Sequence, residues 1–132
     1  MSPFSFNGEE PQIAGEPCTG LALQYFFDGS QIHVNVVHLR IGDQWHRMYF
    51  EPATVFWRKS EMPEPAQNTK LTYGLLLNDL TDVEGFVGHA FQGIEYQASE
   101  RGDVEVDIAF SSGRHLKLAY AADADQAQVV NG

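Results

Sequence analysis

The sequence predicts an all-β or β-rich α+β fold, with antiparallel meanders forming a sandwich or partly open barrel and at most one short helix. Three observations carry that expectation. Residues 94–120 alternate apolar and polar with period two, glycine-centred pairs separate runs rich in Val, Ile and aromatics, and 132 residues suffice for one core in a single domain. The runner-up is an α+β fold in which residues 79–91 form a helix over one sheet.

Taken in order, residues 1–20 lack periodicity and mix prolines with acids, so they read as an irregular arm docked by Phe4 and Phe6. Residues 21–27 run into Asp28-Gly29, a strong hairpin signal because both central residues of a type I′ turn need positive φ. That turn would set Tyr25 against Ile32, Leu23 against Val34 and Leu21 against Val36. Gly42-Asp43 suits a type II′ turn and sets Arg40 against Trp45, His38 against Arg47 and Val37 against Met48. The strand shared by both hairpins must then switch its apolar side near Val36-Val37, which implies a bulge or a bend between layers.

Glu51-Pro52 ends a strand, since proline cannot donate to the ladder, and residues 55–58 resume one. Residues 61–70 read as a Pro-rich acidic surface connector and residues 71–77 as a buried strand. Beyond them Leu80, Val83 and Val87 fall at helical spacing, but Gly85 and Gly88 would each cost about 1 kcal/mol in a helix interior. At most a turn or two of helix is expected near residues 79–84.

The last three strands place Ile94, Tyr96, Val104, Val106, Ile108, Phe110, Leu116, Leu118 and Tyr120 on one buried side. A two-residue loop at Ser112-Gly113 would oppose Ile108 with Lys117 and put charge in the core. A three-residue loop with Gly113 in the left-handed conformation pairs Ile108 with Leu116, Val106 with Leu118 and Val104 with Tyr120 instead. A five-residue loop over 99–103 then sets Glu95 across from Asp107 and Gln97 across from Glu105. The Ala-rich tail, residues 122–132, reads as frayed.

Charge bounds the partners. The formal net charge is -10, distributed as -3 before the first hairpin, +1 over residues 28–59 and -8 from residue 60 onward. Such a balance argues against nucleic acid, whose phosphates need a basic footprint, and against an anionic membrane surface. The first twenty residues lack the apolar stretch of a signal peptide, and no run reaches the length of a membrane span. One cysteine, Cys18, cannot make an internal disulfide and has no basic neighbour in sequence to activate it. A reducing, cytoplasmic location is therefore expected.

Catalytic signatures are missing: there is no nucleophile elbow, no phosphate-binding glycine loop and no zinc-protease motif. No cofactor is expected, and the five histidines lack metal-pair spacing. Asp79, Asp82 and Glu84 read as a solvated acidic turn rather than a calcium loop. Two surfaces stand out. His38, Arg40, Trp45, Arg47 and Tyr49 share one face of the central hairpin, where Arg40 opposite Trp45 suits a cation–π pair and two arginines suit a carboxylate or phosphate. The same face also reads more simply, as long Arg stems covering aromatic surface. Glu95, Glu105 and Asp107 form the second surface, with Lys117 the only strand residue to offset them.

The leading functional expectation is a small acidic, non-enzymatic protein-interaction domain that binds or inhibits a basic partner protein. The alternative is a binding protein or enzyme for an anionic small molecule at the His38, Arg40, Trp45, Arg47, Tyr49 face. A third is structural: an uncovered edge strand or apolar patch would make a homodimer.

Overall fold

The protein is described from a computed structural model covering residues 4–27, 31–63 and 74–130. The described residues form ten strands: β1 (Ser5–Asn7), β2 (Cys18–Phe27), β3 (Ile32–Ile41), β4 (Gln44–Glu51), β5 (Thr54–Ser60), β6 (Gly74–Asp79), β7 (Phe91–Ala98), β8 (Val104–Phe110), β9 (His115–Ala121) and β10 (Gln126–Val130). They form one curled, mostly antiparallel sheet, a half-barrel, and no helix occurs among the described residues. At most a turn or two of helix was expected near residues 79–84; instead β6 ends at Asp79 and residues 81–89 form consecutive turns and bends. Gly85 and Gly88 both adopt positive φ there, which a helix cannot accommodate. No helix of the described chain is long and apolar enough to cross a membrane.

The sheet forks at β3. Residues 37–41 pair with β4 while Val34 pairs with Ala127 of β10, and β2 runs along the opposite edge with β6 beyond it. From the fork one arm continues through β4 and β5 to the parallel strand β1, and the other through β10, β9 and β8 to β7. Their inner faces enclose the core. Val37, Leu39, Met48, Val55 and Trp57 meet Val104, Val106, Ile108, Phe110 and Leu118, all buried. Burying side chains of this size contributes roughly 1.5–3 kcal/mol each, which makes this the main source of stability.

The Gly42-Asp43 hairpin has the expected register, with Gly42 at φ 62 as a type II′ turn requires. The C-terminal register is also as expected: Val104 faces Tyr120, Val106 faces Leu118, Ile108 faces Leu116 and Glu95 faces Asp107. Gly113 sits at φ 92 and its N–H donates to the Phe110 carbonyl at 2.9 Å.

Four expectations are corrected. In the first hairpin Tyr25 faces Val34 and Phe27 faces Ile32, not the pairs set by a two-residue turn; Asp28-Gly29 itself lies outside the described residues. The expected bulge exists, but at Asn35, which is skipped between Tyr25↔Val34 and Gln24↔Val36. That skip lets Val34 and Val37 both face the core, and the core decides the register. The tail is not frayed over its length, because Gln126–Val130 pairs with β9 and buries Ala127. The N-terminal arm is irregular only in part: Ser5–Asn7 is a strand, and Phe4 and Phe6 pack on Tyr96 with centroids 5.5 and 5.1 Å away. Since β1 and β7 are the last strands of the two arms, this aromatic cluster joins the arms by side-chain contact.

Candidate functional site

Alternation along β3 and β4 brings the five residues expected at the first site onto one outer face. The structure adds Phe56, Arg58 and Ser60 from β5, which the sequence reading missed. Residues 52–53 make a two-residue turn, so that Glu51 faces Thr54 and β5 pairs with β4 along its length. Ala53 holds φ 56 in that turn, an unusual value for a non-glycine residue. Its N–H donates to the Gly102 carbonyl and its own carbonyl accepts from Ser5, each at 2.9 Å. A proline followed by a residue in the left-handed region was the available signal, and alanine concealed it.

Side chains on this face stand in cross-strand rows. One row runs Ala22, His38, Arg47, Arg58; the next runs Gly20, Arg40, Trp45, Ser60. Tyr49 stacks on Phe56, centroids 4.8 Å apart and 5° from parallel, and the Arg58 guanidinium lies 5.6 Å from the Phe56 centroid. The expected stack of Arg40 on Trp45 is not formed. Trp45 instead reaches over β3 toward β2, where a Cβ on Gly20 would stand 2.7 Å from its Cη2 and 3.0 Å from the Arg40 Cβ. Glycine at 20 makes room for the indole, and the indole lies over the base of Arg40 rather than under its guanidinium.

The electrostatics of the first row are unusual for an acidic chain. Arg47 stands directly opposite Arg58, and like charges so placed destabilise a sheet. Arg58 is held by hydrogen bonds from Nη1 to the Asn7 and Trp57 carbonyls at 2.8 Å and from Nη2 to Asn7 Oδ1 at 2.6 Å. The ion pairs among the described residues are Arg101–Asp103 and His115–Asp107, so neither Arg40 nor Arg47 has an acidic partner there. His38 completes the row at 6% exposure. Its Nε2 lies 3.2 Å from Gln24 Oε1 and its Nδ1 is buried without a partner. Burial first, and then the charge of Arg47, push the His38 pKa down to about 4, so the ring is neutral at pH 7.

At the second surface Glu95 faces Asp107 and Gln97 faces Glu105, as expected. Lys117 is opposite Asp107, and His115, which the sequence reading did not count, places Nδ1 2.8 Å from Asp107 Oδ1. Asp107 is thus locally compensated. Glu95, Glu105, Asp107, Lys117 and Val130 line a shallow recess of about 280 Å³. Cys18 is fully buried, and burial raises its thiol pKa to about 11, which removes it as a nucleophile at neutral pH. Among the described residues no group of three His, Cys, Asp or Glu is placed to hold a metal ion.

No protein-family model matches the chain, and none of the curated proteins or solved structures compared with it is similar to it. What fold and site define is therefore a class by architecture: an all-β half-barrel with an arginine-rich aromatic outer face on one arm of its sheet and a carboxylate-rich one on the other.

Proposed function

We propose that this protein is a binding domain for a small anionic molecule, a carboxylate or phosphate ester, seated on the outer face of β3, β4 and β5. The observation that carries this reading is Arg47 held opposite Arg58, beside Arg40 and the buried neutral His38, in a chain with ten more negative than positive charges. Asn7 and Trp57 hold the Arg58 guanidinium, but no carboxylate among the described residues pairs with Arg40 or Arg47; an anion beside them would offset the repulsion, and arginine is suited to bidentate contact with either group. His38, buried and uncharged, adds no third positive charge to its row. The stacked Tyr49 and Phe56 supply an apolar flank. The single buried thiol accords with the reducing, cytoplasmic setting we propose for it.

The test is thermal unfolding with phosphate and citrate at fixed ionic strength. Binding to the native state alone raises the melting temperature with ligand concentration, by about 2.7 kcal/mol of stability at a hundredfold excess over Kd. Arg47→Ala and Arg40→Ala should each abolish that gain and leave the unliganded protein nearly as stable. If neither anion stabilises the protein and both substitutions lower its stability through lost packing, the arginines merely cover aromatic surface and the reading fails.

A second reading, a basic protein partner on the outer face of β7, β8 and β9, is supported by one observation. Glu95 stands opposite Asp107 in a recess that also holds Val130, which is 43% exposed. Carboxylates beside exposed aliphatics suit a lysine or arginine with its methylene stem.

A further inference from the structure

The inner face of the half-barrel opens at one end, where β4 begins and β5 finishes, into a cleft of about 820 Å³. Its size is that of small-molecule sites, commonly about 300–1,000 Å³. The N-terminal arm forms its rim. Gly8 presses against β5, for a Cβ there would stand 2.0 Å from the Trp57 carbonyl oxygen, and its φ of +93 turns the arm across the opening. Glu10 accepts a hydrogen bond from the Tyr96 hydroxyl, which in turn accepts one from Trp57 Nε1 at 3.2 Å. Beyond the rim Ile13 is buried in the core. The rim is thus anchored on both sides of the opening.

The chemistry of the lining is two-sided. The arm contributes Glu9 and Glu10; β5 contributes Lys59, with His46 directly across from it on β4, and Arg58, whose guanidinium is already held by Asn7. None of the ion pairs among the described residues joins these groups. Lys59 and Glu9 are exposed, whereas His46 is 8% exposed. Burial and the adjacent Lys59 lower the His46 pKa, so it presents a neutral imidazole beside a cation. No hydrogen bond among the described residues engages its ring. Opposite charges therefore line one cleft without closing on each other, and a neutral hydrogen-bonding group stands on the cationic side.

From this arrangement we infer that the cleft binds a small zwitterion, a free α-amino acid or a close analogue, with its carboxylate at Lys59 and His46 and its ammonium group at Glu9 and Glu10. A simple anion would meet repulsion from the rim and a simple amine repulsion from Lys59. A ligand carrying both charges a few bonds apart satisfies both walls, which gives specificity by charge pattern rather than by affinity for either charge alone. This site opens on the inner side of the sheet; it shares Arg58 with the anion site proposed on the outer face, but neither Arg40 nor Arg47 lines it.

The experiment is a two-dimensional NMR titration of the full chain with individual L-amino acids at millimolar concentration, alongside acetate and methylammonium. At least one amino acid should shift the amides of Gly8, Glu9, Glu10, Gln12 and residues 44–46 saturably, with acetate and methylammonium at least about tenfold weaker. Lys59→Met and Glu9→Gln, both at exposed positions that the fold tolerates, should each weaken the amino acid about tenfold or more; Arg47→Ala should not. Absence of saturable shifts with every amino acid would overturn the inference. So would acetate binding as tightly as the amino acids with Glu9→Gln silent, since the cleft would then be a plain anion pocket.

Discussion

Gly113 and His38 show how much a single residue holds in this fold. At Gly113 a side chain would meet no atom within 4 Å, so any cost of substitution comes from backbone strain at φ +92 and not from crowding. Gly113→Val should lower stability by more than about 1 kcal/mol in urea unfolding, whereas Gly113→Asn should cost far less because asparagine tolerates positive φ. His38 acts through protons. Its folded pKa of about 4 lies below the unfolded value of 6.5, so between those limits the unfolded chain binds a proton that the folded one does not. The contribution of His38 is fully present above pH 6.5 and is lost as pH falls toward 4. It reaches up to about 3 kcal/mol, since each pH unit between the two pKa values is worth about 1.36 kcal/mol. Unfolding free energies at pH 7 and pH 4.5 should differ by that much less in His38→Gln than in the parent protein. An equal loss in both would assign the acid sensitivity to other groups.

Among the elements, β10 is the one whose role the local sequence hides. Residues 126–130 lie against β9 over five register pairs and touch β3 at Ala127↔Val34, so β10 links the two arms of the sheet. Gln128 Nε2 donates to the Ile32 carbonyl at 3.0 Å, and the Tyr120 hydroxyl donates to Asp125 Oδ1 at 2.5 Å, which fixes the approach. Ala127 is 3% exposed, leaving no room or solvent for a charge. Ala127→Asp should therefore cost roughly 3 kcal/mol or more, as an unpaired buried carboxylate does, and Gln128→Ala should cost about 1 kcal/mol. Hydrogen exchange should report the same hierarchy: with Ala127→Asp the amides of β9 lose protection before those of β4 and β5.

Across the whole molecule, charge is segregated by sheet arm. Arginines occupy the outer face of β3 to β5, and carboxylates that of β7 and β8, at the opposite end of the fork. This division creates a field that steers charged partners at a distance and weakens with salt over a Debye length of about 8–10 Å. If a basic protein docks on β7 to β9, the double change Glu105→Lys with Asp107→Lys should slow association at least about tenfold and flatten its dependence on ionic strength, with the fold unchanged by circular dichroism. A partner whose on-rate ignores both would leave the acidic face a matter of solubility. The Phe4, Phe6 and Tyr96 cluster makes this field a property of one body, because it joins the ends of the two arms.

What the sequence determined by itself is the side each residue takes. Alternation is a local property, since successive Cβ atoms in a strand point to opposite faces, and so the grouping of His38, Arg40, Trp45, Arg47 and Tyr49 was legible, as was that of Glu95, Glu105 and Asp107. The C-terminal register was legible too, because only one loop length keeps Lys117 out of the core. Only the tertiary structure decided what depends on residues far apart in the chain. The bulge at Asn35, the capture of β10, the pairing of Arg58 with Arg47, the rerouting of Trp45 over Gly20 and the cleft under the arm all arise where distant strands meet. Offsets between strands are set by which apolar side chains the shared core can bury together, and no window of the sequence contains both partners.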